Sequence, residues 1–496
     1  MQQVVLIVRP DEAKQLEAAY RVVRRSVDAR QKDIKVNLTL LADDEGHYIP
    51  IDAPLPHYEQ PHFQHVTSDS PVAHIIGAGP AGLFAALTLL EHGIKPIIFE
   101  RGKPVSDRKR DIALLNRNEA FNPESNYCFG EGGAGTFSDG KLFSRSKKRG
   151  NMQRVMELFH YFGAADNILY EAHAHIGSDR LPRIIQNMRE CILAHGGEIH
   201  FDTKIESLKQ ISNLKSQISN PPVLLAIGHS AHDTYRMLAA EGVAMEAKGF
   251  ALGVRAEHPQ ALINKLFYHN QPPSVVNLLG NAAYSLVTQV NGRGVYSFCM
   301  CPGGHIVPAG SDSNGCVVNG MSASHRNSPF ANSGMVVELH PAGTALDALD
   351  YQEHIEHLAK EHGGPNQQAP AQRMRDFVEG KDSATLPACS YLPGLVPSRL
   401  DQWLPEPIGS SLQQGFRDFD RKYHGFLTNE AVIVGVESRS SSPVRIIRDT
   451  TTMQSVSHPW LYPCGEGAGY AGGITSSALD GINAALKIAE HYGTTL

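Results

Sequence analysis

One run of residues limits what this chain can fold into more than any other. It is Val72-Ala-His-Ile-Ile, then Gly77-Ala-Gly79-Pro80-Ala81-Gly82, then Leu83 to His92, then Ile97-Ile-Phe and Glu100-Arg101. The first five residues form a short apolar run, the pattern of a strand buried on both faces. Leu83 to His92 repeats apolar residues at helical spacing. Strand, G-x-G-x-x-G turn, helix, strand and terminal acid, in that order, predict a βαβ unit that binds a dinucleotide rather than a bare glycine-rich turn. Gly77 makes the tight turn, Gly79 lets a pyrophosphate approach the backbone, and Gly82 lets the helix pack on the strand. The free N–H groups of the helix's first turn suit that anion. Glu100 is placed to accept hydrogen bonds from ribose hydroxyls, and an acid there disfavours a 2′-phosphate.

The chain has 496 residues, enough for about three domains. No window is apolar enough for a membrane span, and Met1-Gln-Gln-Val-Val lacks the features of a signal peptide. The net charge of −6 gives no global case for nucleic acid or an anionic membrane. Seven cysteines without a CxxC spacing read as reduced thiols, and the expected location is the cytoplasm.

Residues 1–68 read as a small N-terminal α+β domain: a strand at Val4–Val8, a helix from Asp11 to about Val27, and a strand through Ile34, Val36, Leu38 and Leu40. Arg21, Arg24, Arg25, Arg30, Lys32 and Lys35 cluster there; a solvated face is favoured over contact with an anionic partner or a neighbouring domain. Helices are expected at Asn151–Phe162 and, capped by Ser178, up to Ala194. The repeat Gln210–Asn213 and Gln217–Asn220 reads as a surface loop. Strands are expected at Ile199–Phe201, Val223–Ile227, Ala251–Ala256 and Ser285–Val290. Ala431–Gly435 is read as the strand that returns the chain to the nucleotide unit, before a last helix at Ser477–His491.

Four blocks carry a family resemblance: Phe129-Gly-Glu-Gly132-Gly133-Ala-Gly135-Thr-Phe-Ser138-Asp-Gly140-Lys141-Leu, Gly228-His229-Ser-Ala-His-Asp233-Thr-Tyr, Gly435-Val-Glu437-Ser-Arg439-Ser-Ser-Ser-Pro-Val-Arg-Ile, and Pro463-Cys-Gly465-Glu466-Gly-Ala-Gly-Tyr-Ala-Gly472-Gly473-Ile474. With Arg25–Arg30, they resemble bacterial FAD-dependent dehydrogenases of unassigned substrate, within the wider glutathione-reductase-like flavoprotein superfamily. The resemblance implies an α/β fold: a Rossmann-type FAD-binding domain (71–245 and 431–496), an inserted mixed α+β substrate domain (246–430) and the small N-terminal domain. It departs at Ile227, where such flavoproteins usually carry Thr, and in the short 206–222 segment.

The resemblance also implies site roles. Glu466 stands where an acid binds the ribityl hydroxyls, and Gly465 accompanies it. The helix opened by Gly472, Gly473 and Ile474 lies near the flavin N1–C2=O edge, where its dipole stabilises the reduced flavin. Gly132, Gly133, Gly135, Ser138, Gly140 and Lys141 line the flavin and pyrophosphate, and Gly228 joins them. Gly467–Gly472 also fits G-x-G-x-x-G, but no βαβ unit with a terminal acid follows. NADH or NADPH would then have no domain of its own and would serve as a transient donor only.

The flavin carries the hydride, and a protein group is expected to move the substrate proton. Candidates are His229, Asp233, Glu437 with Arg439, and His305. Each has a plainer reading: Asp233 as a helix cap, His229 as a loop tie, and Glu437–Arg439 as a structural pair. Arg439, Arg445 and Lys141 could instead hold an anionic substrate. Cys299-Met-Cys301 is read as two buried thiols, because disulfide geometry is rarely met within one strand; Cys464, beside the flavin motif, is the thiol to watch. No metal-ligand spacing is present. The expected function is an FAD-dependent oxidoreductase acting on a small organic substrate at flavin N5. The alternatives are a flavin monooxygenase and a flavin-binding regulatory or RNA-associated protein.

Overall fold

A computed structural model describes residues 1–53, 59–143, 150–212 and 221–494. The nucleotide unit is a five-stranded parallel sheet in the order Leu461–Pro463, Val223–Leu225, Val72–Ile76, Lys95–Phe99, Glu198–His200. Parallel strands need covered faces. The opening helix Pro80–Glu91 is buried over most of its length, and the closing helix Ile474–Tyr492 packs beside it. Gly481 makes this contact possible: a Cβ there would lie 2.1 Å from the carbonyl oxygen of Ala81.

The second sheet has seven strands, in the order Val287–Val290, Arg293–Cys301, Phe330–Leu339, Phe250–Pro259, Val432–Glu437, Ala369–Arg373, Leu395–Pro397. All neighbours are antiparallel except the last pair. The strand expected to return the chain to the nucleotide unit is thus a member of this sheet, paired with Phe250–Pro259. The return comes later, when Leu461–Pro463 joins Val223–Leu225. An apolar run states that a strand is buried, but not in which sheet.

The N-terminal sheet has the order Gln2–Val8, Lys35–Ala42, Val22–Asp28. The helix expected up to Val27 stops at Ala19, and Val22–Asp28 is a strand instead. Its β-branched residues take the edge of a sheet whose partner strand lies further along the chain. The basic cluster is partly paired: Arg25 bonds Glu17 at 2.6 Å and lies 3.7 Å from Glu171, Arg30 pairs with Asp28, and Lys35 with Asp33. Arg25 also exchanges backbone hydrogen bonds with Tyr170 and Ala172, which ties this sheet to the nucleotide unit. Ser178 does not cap the second helix, which begins at Leu181 without a side-chain cap. Asn213 and the second copy of the polar repeat lie outside the described residues. Among the described residues, no helix is long and apolar enough to cross a membrane.

Candidate cofactor site

The site lies at the carboxyl ends of the parallel strands, where loops connect a buried sheet to its helices. Gly77 takes φ +104°, and a Cβ there would meet the carbonyl oxygen of Ala226 at 2.4 Å. Any side chain would push the turn away from the strand Val223–Leu225. Gly79 precedes the opening helix, which carries Pro80 in its first turn and no side-chain cap. The closing helix likewise starts after Gly473 without a side-chain cap. A Cβ at Gly228, Gly472 or Gly473 would meet nothing within 4 Å.

The loop Gly130–Gly140 joins these two helix ends. A Cβ at Gly133 would lie 3.1 Å from Cα of Gly79, and one at Gly135 would lie 3.0 Å from Cγ1 of Ile474. The Gly132 N–H donates to the Ala78 carbonyl at 2.8 Å. A side chain with no sequence signal holds the loop in place: Arg108, fully buried, donates to the carbonyls of Asn126, Glu131 and Tyr127 at 2.8, 2.8 and 3.1 Å. Ser138 is spent inside the turn, donating to the Gly135 carbonyl and accepting from the Gly140 N–H.

Glu100 is buried, and its carboxylate already accepts three backbone N–H groups: Ala78 at 2.8 Å, Gly102 at 2.9 Å and Gly130 at 3.0 Å. It therefore fixes the glycine turn against the Gly130–Gly140 loop. With about four lone-pair sites, a carboxylate so bonded keeps one for a further donor. Arg101 lies over the ring of Phe129 at 4.0 Å and pairs with Asp233 at 2.9 and 3.0 Å and with Glu124 at 2.6 Å.

These pairings decide among the candidate acids and bases. Asp233 is gripped by Arg101 and by Lys204 at 2.6 Å; although burial raises its pKa, the two cations hold it well below the usual carboxylate range, so it is a poor proton acceptor. Glu437 and Arg439 do not pair with each other. Glu437 pairs with the fully buried Arg255 at 3.0 Å, and Arg439 pairs with Glu356 at 2.8 and 3.0 Å. The strand ends at Glu437, so Arg439 lies in the loop beyond it and is not held to the same face; each of the two found its own buried partner. His305 opens an exposed end of the strand His305–Pro308. Arg445 pairs with Glu246 on the surface. Burial pushes the Cys464 thiol far up, which makes it inert. His229 remains in place: its Nδ1 lies 3.4 Å from Oε2 of Glu466, so two residues chosen from separate sequence blocks meet. The Gly465 N–H is held by Asp480 at 2.8 Å, which Arg448 pairs at 2.7 Å; sequence reasoning missed both side chains.

Two uncapped helix N-termini, an open glycine floor between them and a buried carboxylate on the first turn fit a dinucleotide with an electron-accepting ring. Residues 69–117 match the FAD binding domain family, and residues 249–440 match the family described as FAD-dependent protein, C-terminal domain-like. Residues 3–43 match a domain of unknown function. Fold and site therefore define a mixed α/β protein with an FAD-binding domain.

An uncharacterised protein of Clostridium beijerinckii is 40% identical to this chain over 499 residues, covering 95% of this chain and 91% of its own length. The chain belongs to one family with it, a family of FAD-dependent proteins. Among solved structures, CtdE in complex with FAD is 10% identical over 85% of this chain and 84% of its own, with a TM-score of 0.30. CmlS, a flavin-dependent halogenase, is 13% identical over 85% of this chain and 58% of its own, with a TM-score of 0.35.

Proposed function

We propose that this protein is an FAD-dependent oxidoreductase of the dehydrogenase or reductase type, acting on a small organic substrate. The observation that supports it most is the convergence of the Gly79 and Gly473 helix ends with the Gly130–Gly140 loop at the carboxyl ends of the parallel strands. When bound, FAD supplies hydride transfer at its N5 atom. The remaining work falls to residues of the chain. Gly79, Ala81 and Gly82 present backbone N–H groups to the pyrophosphate, Gly77 and Pro80 shape the turn that exposes them, and Glu100 offers its remaining lone pair to the ribose. Gly132, Gly133 and Gly135 cover that end of the cofactor. Gly472, Gly473 and Ile474 direct a helix dipole toward the ring, where negative charge grows on reduction. Glu466 accepts from the ribityl hydroxyls, with His229 orienting it. With Asp233, Glu437 and Arg439 paired elsewhere, the reading assigns the substrate proton to His229.

The same reading places the chain in the glutathione-reductase-like superfamily. It divides the chain into an N-terminal unit, a two-part cofactor domain and an inserted substrate domain, and it makes a nicotinamide a transient donor. The test is to extract cofactor from the purified protein, quantify it against protein, and then titrate the holoprotein anaerobically with NADH and NADPH. One FAD per chain, reduced by a nicotinamide or by light, is the expected result. Colourless protein that takes up no FAD would overturn the reading, and oxygen uptake coupled to substrate hydroxylation would replace the dehydrogenase with a monooxygenase.

A further inference from the structure

A second cluster of reactive groups lies where the larger sheet meets the Gly130–Gly140 loop. The strand Arg293–Cys301 has a register break between Phe298 and Cys301, and Cys299 takes φ +48°. That conformation is uncommon for a residue with a side chain and is maintained only where surroundings over-determine it. Residues two apart on a strand share a face, and here both sulfurs converge on one ammonium. Lys141 Nζ lies 3.9 Å from Cys299 Sγ and 3.6 Å from Cys301 Sγ. Arg255 reaches the same pair from the strand Phe250–Pro259 of the same sheet, 3.6 Å from Cys301 Sγ and donating to the Cys299 carbonyl at 2.8 Å. Cys301 is fully buried, whereas Cys299 is partly exposed.

Other groups complete the surroundings. Glu437 pairs with Arg255, and the Tyr284 phenol lies beyond it. Asp139 lies 3.4 Å from Lys141 and is held by Arg326, with His175 alongside. Three cations (Lys141, Arg255 and Arg326) thus face two carboxylates (Glu437 and Asp139). One thiolate shared by the two cysteines would close the charge balance of this partly buried cluster. The neighbouring thiol, backed by Lys141 and Arg255, lowers Cys299 against the burial that raises it, while Cys301, whose S–H donates to the Cys299 carbonyl at 3.3 Å, rises; the two titrate as a pair. The same cations make the dithiol a poor site for a metal ion and a good one for an attacking thiolate.

We propose that Cys299 and Cys301 form a dithiol site that undergoes exchange with organic disulfides, with Lys141 and Arg255 as positioning residues for the attacking thiolate. The accessible Cys299 thiolate attacks one sulfur of the organic disulfide, forming a mixed disulfide and expelling one thiolate. The Cys301 thiol gives its proton to that thiolate, and its sulfur attacks Cys299 Sγ, expelling the second. The cysteine pair loses two electrons, and the organic disulfide gains them as one thiol and one thiolate. The proposal goes beyond the flavin reading and does not rest on it.

The test equilibrates the full-length protein, as purified, in glutathione and glutathione disulfide at graded ratios, quenches with acid, alkylates, and weighs the peptide carrying Cys299 and Cys301. The two alkylation sites should disappear together, leaving a peptide two hydrogens lighter than the reduced one, while Cys316 and Cys464 stay reduced. Cys301→Ser should stop at glutathionylated Cys299, and Cys299→Ser should abolish the reaction. Lys141→Met should slow trapping of Cys299 at mildly acidic pH by about tenfold, with Lys141→Arg restoring it. Circular dichroism checks that each variant is folded. Two thiols that remain reduced at every ratio in folded protein would overturn the proposal. So would a Cys299 trapping profile against pH that Lys141→Met leaves unmoved; the cysteine variants keep the test open should Lys141→Met fail to fold.

Discussion

His229 Nδ1 stands 3.4 Å from Glu466 Oε2, joining the ends of two adjacent parallel strands, Val223–Leu225 and Leu461–Pro463. Both side chains are partly covered, at 12% and 21% exposure, so the pair is worth less than a buried ion pair and more than a free surface one. Glu466→Ala is expected to weaken FAD binding by about tenfold, the size of one hydrogen bond to a charged group. His229→Ala should cost less, and the double variant should show about 0.5–1 kcal/mol of coupling. Fluorescence titration of the four proteins with FAD measures the cycle; strictly additive effects would separate the two residues.

Glu100 should prove structural as well as cofactor-binding. Its carboxylate satisfies the N–H groups of Ala78, Gly102 and Gly130. Glu100→Ala leaves buried donors without partners and should cost about 2–3 kcal/mol of stability, in addition to lost FAD affinity. Glu100→Gln keeps acceptor capacity on one atom and should fall between. Urea denaturation of the cofactor-free proteins checks the order, and an unchanged midpoint for Glu100→Ala would remove the structural role.

The pair Arg439–Glu356 is buried on both sides, at 3% and 1% exposure. Breaking one side should destabilise the fold by about 3–5 kcal/mol, because a charge is left without its partner. Glu356→Gln and Arg439→Met should each unfold at lower urea, whereas Arg439→Met with Glu356→Leu should regain most of the loss. A double variant as weak as the sum of the singles would contradict this account.

Acid should act through two buried imidazoles, one in the five-stranded and one in the seven-stranded sheet. Burial lowers His74 to about 4 and His258 to about 4, from an ordinary value of 6.5. Between those values the unfolded chain binds protons that the folded chain refuses, so stability is complete above about pH 6.5 and falls as pH drops toward 4. Two such groups give a slope of up to about 2.7 kcal/mol per pH unit. His74→Leu with His258→Leu should flatten that limb of a stability-against-pH curve measured by urea melts; an unchanged slope would assign it to other groups.

Much of the cofactor site was legible in the residues because its logic is local. The turn from Gly77 to Gly82, the acid after the second strand and the glycines before the last helix are each defined within a few residues of chain. The partners of the polar groups were not legible. Glu437 and Arg439, two positions apart, suggested a pair; the structure gives them Arg255 and Glu356, which lie far away in the chain. Arg108, which holds the loop over the site, shows only as one more charge in a polar helix.

The sequence by itself determined that a buried strand, a glycine turn and a helix follow one another at residues 72–91, because backbone sterics and 3.6-residue periodicity act over short distances. It also determined a last helix through Ser477–His491, which the structure extends back to Ile474. Only the tertiary structure decided that Val432–Glu437 joins the larger sheet, that Val22–Asp28 is a strand, and that Lys141 meets Cys299 and Cys301. Strand pairing and the burial of charge depend on which surfaces meet, and those surfaces come from residues distant in sequence. Composition and spacing record that a group must be paired, while packing selects its partner.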